Sequence, residues 1–229
     1  MIKETIKKLH NELPATVKLV AVSKFHPFEA IEEAYQAGQR IFAESRPQEL
    51  QAKVKMLEQR RAELGEPEYM SDIQWHFIGH LQTNKLKMVL PYVSLVQSVD
   101  SLRLLEAIDS WANVHDKAIE VLLEPHVAAE QTKQGFDKSE ILIILSDHSK
   151  YAGIRFRGLM GMATFTDDES VIRSDFGRIR EIRDEVLERC PDLAADFTEL
   201  SIGMSDTATI WSSTMPTGRT ALVCSLPVW

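Results

Sequence analysis

The stretch 17-VKLVAVSKFHP-27 decides the fold class. Apolar side chains occupy both faces of its first six residues, which is typical of a strand covered on two sides, as in a parallel sheet. Lys24 follows where the strand should end, and Pro27 leads into an amphipathic helical pattern that stops at Gly38. In α/β folds, this edge of the sheet carries ligands and catalytic groups. The stretch therefore predicts a parallel sheet with Lys24 at that edge, although a lysine at a strand end can also simply reach water.

The same strand-then-helix pattern recurs along the chain. Seven further strand-like segments follow the first: 40-RIFAES-45, 73-IQWHFIGH-80, 93-VSLVQSVDS-101, 118-AIEVLLEPHV-127, 155-RFRGLMGMA-163, 197-FTELSIGMS-205 and 220-TALVCSL-226. Eight such units with helices between most of them predict a single (β/α)₈ barrel domain over residues 1–229. An open doubly wound sheet is the alternative. No Gly-rich dinucleotide motif follows the first strand, which favours the barrel.

Composition excludes several classes of protein. The chain of 229 residues has a formal net charge of −8 and no long basic block, so we expect no nucleic-acid partner. No run of about 18 apolar residues is available to span a membrane, and the charged N-terminus does not resemble a signal peptide. The two cysteines cannot form a disulfide framework, which fits a reducing cytoplasm. We expect a cytoplasmic monomer or weak dimer.

Polar residues collect at the ends of the predicted strands, which a barrel would bring to one mouth. They are Lys24, Glu44-Ser45, His80, His126, Met162 to Thr164, and Ser201 to Ser205. A lysine ringed by such groups can act as a nucleophile toward a carbonyl and form a Schiff base. The Ser-x-Gly-x-Ser segment and the loop 213-STMPTGRTA-221 offer hydroxyls and backbone N–H groups, which together would make a phosphate cup.

Other conspicuous residues have simpler interpretations. His76 lies mid-strand between aromatic residues, which favours a hydrogen-bonded core histidine over a catalytic one. No histidine pair has metal-ligand spacing beside an acid, so we expect no metal site. Met160, Met162 and Cys224 are interpreted as core residues of strands.

Five motifs carry a resemblance to a known family. They are 19-LVAVSKFHPFEAIEEAYQAGQRIFAESRPQEL-50, 75-WHFIGHLQTNKLK-87, 98-SVDS-101, 157-RGLMGMAT-164 and 199-ELSIGMSD-206, spread over nearly the whole chain. The chain resembles the pyridoxal-phosphate homeostasis family, of the alanine racemase N-terminal-domain type. The resemblance implies a fold-type III barrel without the second β-domain of the racemases. It also implies pyridoxal 5′-phosphate (PLP) bound as a Schiff base to Lys24, a role in vitamin B6 and amino-acid homeostasis, and little or no catalytic turnover.

The resemblance implies a set of cofactor-binding residues as well. Besides Lys24, these are Ser45 and His80 near the cofactor, Ser201, Gly203, Met204 and Ser205 around its phosphate, and Arg219 and Thr220 in the loop before the last strand. The sequence departs from the family where Ser45 replaces an asparagine, Thr217 an arginine and Arg219 a glycine. Arg219 would either pair with the phosphate or fill the cup. Natural divergence, degeneration and deliberate redesign are all compatible with these departures.

Two other functions stay open at this point. One is a lysine-dependent Schiff-base enzyme, and the other is a barrel whose altered pocket no longer binds PLP. A two-base racemase needs a second group on the far face of the cofactor. The four tyrosines fall in helical or connecting stretches, which argues against that activity.

Overall fold

The computed structural model describes residues 2–126, 135–162, 164, 166, 168–203 and 221–224. The helices are α1 (Ile2–Glu12), α2 (Phe28–Gln36), α3 (Pro47–Leu64), α4 (Leu86–Val89), α5 (Leu102–Val114), α6 (Lys138–Ser146) and α7 (Glu169–Arg189). The strands are β1 (Val17–Val22), β2 (Ile41–Glu44), β3 (Gln74–Phe77), β4 (Leu95–Val99), β5 (Ile119–Leu123), β6 (Ile154–Met162), β7 (Glu199–Gly203) and β8 (Ala221–Cys224). Short 3₁₀ turns span Thr83–Lys85, His148–Lys150 and Pro191–Ala195.

The eight strands form one closed parallel barrel in sequence order. Strand β1 pairs in parallel with β2 on one side and with β8 on the other, which closes the sheet. This confirms the predicted (β/α)₈ barrel and excludes the open sheet. Because every strand runs in the same direction, their carboxyl ends share one end of the barrel, here called the mouth.

The apolar core has two layers, because successive residues of a strand point to opposite faces. The barrel interior holds a small cluster, and a larger cluster fills the space between the strands and the surrounding helices. The interior cluster consists of Val20, Val22, Ala43, Leu95, Leu122 and Met160, with Ile41 and Ile78 packed against it. These residues fix which positions of each strand point inward.

Charged residues close the end of the barrel opposite the mouth. Lys18 and Arg157 lie 3.7 Å and 3.9 Å from the buried carboxylate of Glu199, and Arg157 lies 3.7 Å from Glu120. Burial raises the pKa of Glu199, while the Lys18 and Arg157 charges oppose the rise. A small cavity of about 110 Å³ lies among these residues. These charges lie far from the mouth, where the active sites of such barrels form.

Two glycines occupy positions that a larger residue would strain. Gly38 has a φ of 105° just after α2, a backbone conformation that is strained for residues with a side chain. In β6, a Cβ on Gly158 would lie 1.7 Å from the Glu199 carbonyl oxygen, so close strand packing requires glycine. Asp168 caps the start of helix α7, since its carboxylate accepts from the Ser170 N–H at 2.8 Å.

Some boundaries and one core assignment were wrong. Strand β3 ends at Phe77 and β5 at Leu123, so His80 and His126 lie in loops beyond their strands. Between β3 and β4 the chain forms a 3₁₀ turn followed by the single turn of α4. Met162 is 49% exposed, because β6 extends to the barrel mouth. Met160, two residues earlier, is buried in the interior as predicted.

None of the helices among the described residues is both long and apolar enough to cross a membrane.

Candidate functional site at the barrel mouth

Lys24 lies two residues after β1, at the barrel mouth. Ser23 still belongs to the parallel ladder, because its N–H donates to the Ala43 carbonyl at 3.0 Å. The Ser23 side chain points outward, so Lys24 falls on the inward side that Val20 and Val22 occupy. The Lys24 side chain is half-buried, and no other described residue forms a hydrogen bond or ion pair with it. The structure therefore places at the mouth a primary amine that pairs with no other residue in the described ranges.

A buried ion pair supports the end of β1 from outside the barrel. Lys53 of α3 pairs with Glu44 of β2, and its ammonium also donates to the Ser23 carbonyl at 2.6 Å. The Ser23 hydroxyl donates to the same Glu44 oxygen at 2.6 Å. Burial raises the pKa of Glu44, and the bonds from Lys53 and Ser23 oppose that rise. We call these three residues the Glu44 network; it fixes the peptide that leads into Lys24.

The Glu44 network corrects the sequence interpretation of Glu44. Its side chain was expected at the mouth with the other strand-end residues. It is fully buried and points outward to α3. The reason is strand alternation: the inward residues of β2 are Ile41 and Ala43, and Glu44 belongs to the other face.

The turn after Lys24 is held by the start of α3. Phe25 has a φ of 67°, an uncommon conformation for a residue other than glycine. Its N–H donates to the Glu49 carboxylate at 3.1 Å, and the Arg46 guanidinium lies 4.6 Å from its ring centre. Since this conformation carries strain, its retention beside Lys24 indicates that the turn has a specific orientation to maintain.

Ser45 continues the inward side of β2 to the mouth. It is half-buried, and its backbone packs against the loop after β3. A Cβ on Gly79 would lie 2.0 Å from the Ser45 carbonyl oxygen, so only glycine permits this approach. The Ser98 hydroxyl donates to the Gly79 carbonyl at 2.6 Å, which joins β4 to the same loop. Ser45 thus lies on a tightly packed rim.

His80 follows on the next loop and pairs with Asp100. The His80 Nδ1 lies 2.8 Å from an Asp100 oxygen, at the point where β4 gives way to α5. The His80 side chain is 56% exposed, whereas that of Asp100 is 8% exposed. His80 therefore lies at the outer edge of the mouth, with its ring oriented by a buried carboxylate.

Glu124 is an acid of the mouth that sequence reasoning missed. It follows β5 directly and shares the inward side with Leu122. Burial raises the pKa of Glu124 to about 7; the Asp100 carboxylate adds to the rise and His80 opposes it. The signal was present in the sequence, because an acid follows the apolar run of β5 just as Lys24 follows that of β1.

Ser201 lies deeper in the barrel than a mouth residue. Its hydroxyl donates to Gln97 Oε1 at 2.5 Å, and the Gln97 amide donates to His76 Nδ1 at 2.7 Å. All three side chains are buried, which confirms His76 as a hydrogen-bonded core histidine. Burial, and next the Lys18 charge, lower the pKa of His76 to about 3, so its ring is neutral. The Ser201 hydroxyl is engaged inside the barrel, and its contribution to a phosphate site stays a prediction.

Gly203 ends β7 at the mouth, in register with Met162 of β6. The remaining residues predicted to bind the phosphate, Met204, Ser205, Arg219 and Thr220, lie outside the described residues, as does Thr217. Cys224 belongs to β8 as predicted, but the structure describes only its backbone. Within the described ranges, no group of three or more His, Cys, Asp or Glu residues is arranged to hold a metal ion.

Comparison with known proteins identifies the family. The family model for the N-terminal domain of alanine racemase matches residues 1–220. The chain belongs to this family. Among curated relatives, the pyridoxal phosphate homeostasis protein of Pasteurella multocida is 31% identical over 192 residues, covering 84% of this chain and 78% of the relative. The human protein of the same name is 33% identical over 215 residues, covering 89% and 74%. The predicted family is confirmed.

Solved structures agree with the fold. PipY of Synechococcus elongatus, determined with PLP bound, has a TM-score of 0.82 and 32% sequence identity, and the match covers 98% of this chain and 97% of PipY. Alanine racemase of Clostridium difficile has a TM-score of 0.69 at 13% identity, covering 99% of this chain and 55% of the racemase. The second likeness concerns the fold alone.

Proposed function

We propose that this chain binds PLP at the barrel mouth, through Lys24, and serves PLP homeostasis with little or no catalytic turnover. The observation that carries the proposal is the unpaired Lys24 amine on the inward side of the mouth. PipY, which shares almost the whole length of this barrel, has PLP bound in its structure. The relatives named pyridoxal phosphate homeostasis proteins supply the biological role.

The described residues fit this cofactor. When bound, PLP supplies an aldehyde that a primary amine can bond and an electron-withdrawing pyridine ring. The Lys24 amine would hold it covalently as a Schiff base, with loss of one water. Ser45 and Gly203 lie at the ends of β2 and β7, and the Glu44 network keeps the end of β1 in place. The predicted phosphate contacts of Ser205, Arg219 and Thr220 belong to the same proposal.

Low turnover is supported by where the tyrosines lie. Tyr35 is on α2, and Tyr69, Tyr92 and Tyr151 are in connections that lead into strands. Such connections lie at the end of a barrel opposite its mouth. No tyrosine is therefore in a position to act on the far face of a cofactor held by Lys24.

We also propose that the chain is a single domain acting as a monomer or weak dimer in the cytoplasm. All eight strands, from β1 to β8, belong to one closed barrel, which supports a single domain. Large exposed apolar side chains are spread over several elements, including Leu64 of α3, Val114 of α5 and Ile143 of α6. Sedimentation at several protein concentrations tests the oligomeric state; a tight dimer at all concentrations would contradict this part.

Borohydride trapping tests PLP binding. Incubation with PLP should give a yellow protein, and reduction followed by peptide mass spectrometry should place the pyridoxyl group on Lys24. Lys24→Ala should stay colourless while keeping its circular dichroism spectrum, because the half-buried side chain contributes little to the core. Lys85→Ala, in the loop after β3, is the matched control and should behave as the parent. A colourless parent, or an adduct on another lysine, would refute the proposal.

A further inference from the structure

Four polar side chains are stacked inside the barrel, where the other described residues are mainly apolar. They are Glu199 and Ser201 of β7, His76 of β3 and Gln97 of β4, and each is at most 6% exposed. All four lie on the inward side of their strands, since their apolar neighbours along the chain belong to the outer apolar cluster. We call these four residues the polar column. It runs from the end opposite the mouth, here called the floor, to Ser201, two residues before β7 ends.

Direct hydrogen bonds join three members of the polar column. The Ser201 hydroxyl donates to Gln97 Oε1 at 2.5 Å, and the Gln97 amide donates to His76 Nδ1 at 2.7 Å. The His76 ring is neutral, because burial, and next the Lys18 charge, lower its pKa to about 3. A neutral ring that accepts at Nδ1 carries its hydrogen on Nε2. His76 lines the floor cavity, and no described residue accepts a hydrogen bond from that second nitrogen.

The Glu199 carboxylate at the floor has no direct hydrogen-bond partner either. Its Oε2 is buried and accepts no hydrogen bond. Its Oε1 lies 3.7 Å from the Lys18 ammonium and 3.9 Å from the Arg157 guanidinium, which is beyond hydrogen-bond distance. A buried carboxylate without hydrogen bonds is costly, and gaps of this size between polar groups are typical of contacts that water mediates.

The floor cavity has a size and a charge that suit water. Its volume of about 110 Å³ corresponds to about three water molecules at about 30 Å³ each. Two cations, Lys18 and Arg157, and two acids, Glu120 and Glu199, line it, so the lining has no net charge and favours no simple ion of either sign. We propose that ordered water molecules bind in the floor cavity and bridge the His76 Nε2–H to the Glu199 carboxylate.

The bridge makes the polar column continuous from Glu199 to Ser201. A water molecule can accept from the His76 N–H and donate a hydrogen to Glu199 Oε2, so one ligand supplies a partner to a buried donor on β3 and to a buried acceptor on β7. The remaining waters fill the gaps to Lys18 and Arg157. Because the site lies at the floor, the inference does not depend on what binds at the mouth.

A crystal structure of the parent protein, at a resolution that shows ordered water, tests the site directly. We expect at least one water within hydrogen-bond distance of both His76 Nε2 and Glu199. In solution, the His76 Nε2–H should give a ¹H–¹⁵N signal that is protected from exchange and has a cross-peak to water. Hydrogen on Nδ1 instead of Nε2, or a direct bond from Lys18 or His76 to Glu199 that closes the cavity, would overturn the inference.

Oxygen-17 relaxation dispersion counts the water molecules that stay inside the protein, and it compares variants. Glu199→Leu, which keeps the bulk but removes both acceptors, should lose about one to three such waters. Glu199→Gln keeps one acceptor oxygen and should retain them. Glu188→Leu, at an exposed position of α7, is the matched control and should keep the parent's number. An equal number in the parent and in Glu199→Leu would overturn the inference, and if that variant fails to fold, the measurements on the parent decide.

Discussion

Replacing Glu124 with glutamine should change how the stability of the barrel depends on pH. In the folded protein, burial and Asp100 raise the pKa of this carboxyl group from 4.5 to about 7. In the unfolded chain the group is solvated and ionises near its ordinary value. Between these two pH values, the unfolded state has released a proton that the folded state still holds. The free energy of unfolding of the parent should therefore fall as pH rises through this range.

The magnitude follows from the size of the shift. Each unit of pKa difference corresponds to about 1.4 kcal/mol, so the raised pKa of Glu124 costs the folded state about 3 kcal/mol at pH values above 7. Below pH 4.5 the group is protonated in both states and contributes nothing. Glutamine carries no charge at any pH and escapes this cost. The stability of Glu124→Gln relative to the parent should thus rise by about 3 kcal/mol between pH 4.5 and pH 8.

Urea unfolding at a series of pH values measures this difference. The other titrating groups, including Glu44 and Glu199, are common to both proteins and cancel when the two curves are subtracted. A flat difference for Glu124→Gln, or one that falls with pH, would refute the argument that burial and Asp100 hold this proton on the folded protein.

Two further substitutions test the packing around Lys24. Lys53→Met should destabilise the fold by about 3 kcal/mol or more, because it leaves Glu44 buried without its cation. Lys55→Met, at an exposed position of the same helix, is the control. Equal urea midpoints for the two variants would contradict the role of the Glu44 network. Gly79→Ala should destabilise the fold by about 2–3 kcal/mol, since the added Cβ would clash with the Ser45 backbone. The Cβ added by Gly177→Ala in α7 would have no heavy atom of the described residues within 4 Å, so this variant should stabilise the fold by up to about 1 kcal/mol. A thermal shift of the same sign in both glycine variants would show that the close approach at Gly79 is not a constraint.

The barrel was predictable because its signal repeats. Each strand is a mainly apolar run, several of them followed directly by a polar residue, and eight such runs in alternation with helices leave few topologies. Lys24 was found in this way, and its inward position follows from counting along β1. The sequence of a loop has no such periodic pattern, so the point where a strand ends is hard to predict. The predicted ends of β3 and β5 therefore lie a few residues beyond the observed ones.

Side-chain direction at the strand ends was harder to predict. Glu44 and Ser45 are adjacent, and sequence reasoning assigned both to the mouth, although alternation allows only one of them to point inward. The inward face of β2 could be fixed only from its pairing with β1 and β3. Glu124 follows an apolar run just as Lys24 does, but its raised pKa depends first on burial and second on Asp100 after β4, and both appear only in the folded barrel.

The Glu44 network shows how support for the site is separated from the site itself. A buried ion pair is rarely the most stable way to fill a core, since apolar residues of the same volume often do as well or better. Its retention here is explained by the third bond, in which the Lys53 ammonium holds the Ser23 carbonyl. An apolar residue could fill the same volume without fixing that peptide. Because Ser23 and Lys24 point to opposite faces, the network fixes the outward residue without contacting the inward amine. Polar interactions on the outside of β1 thus orient an amine on the inside that no other described side chain bonds.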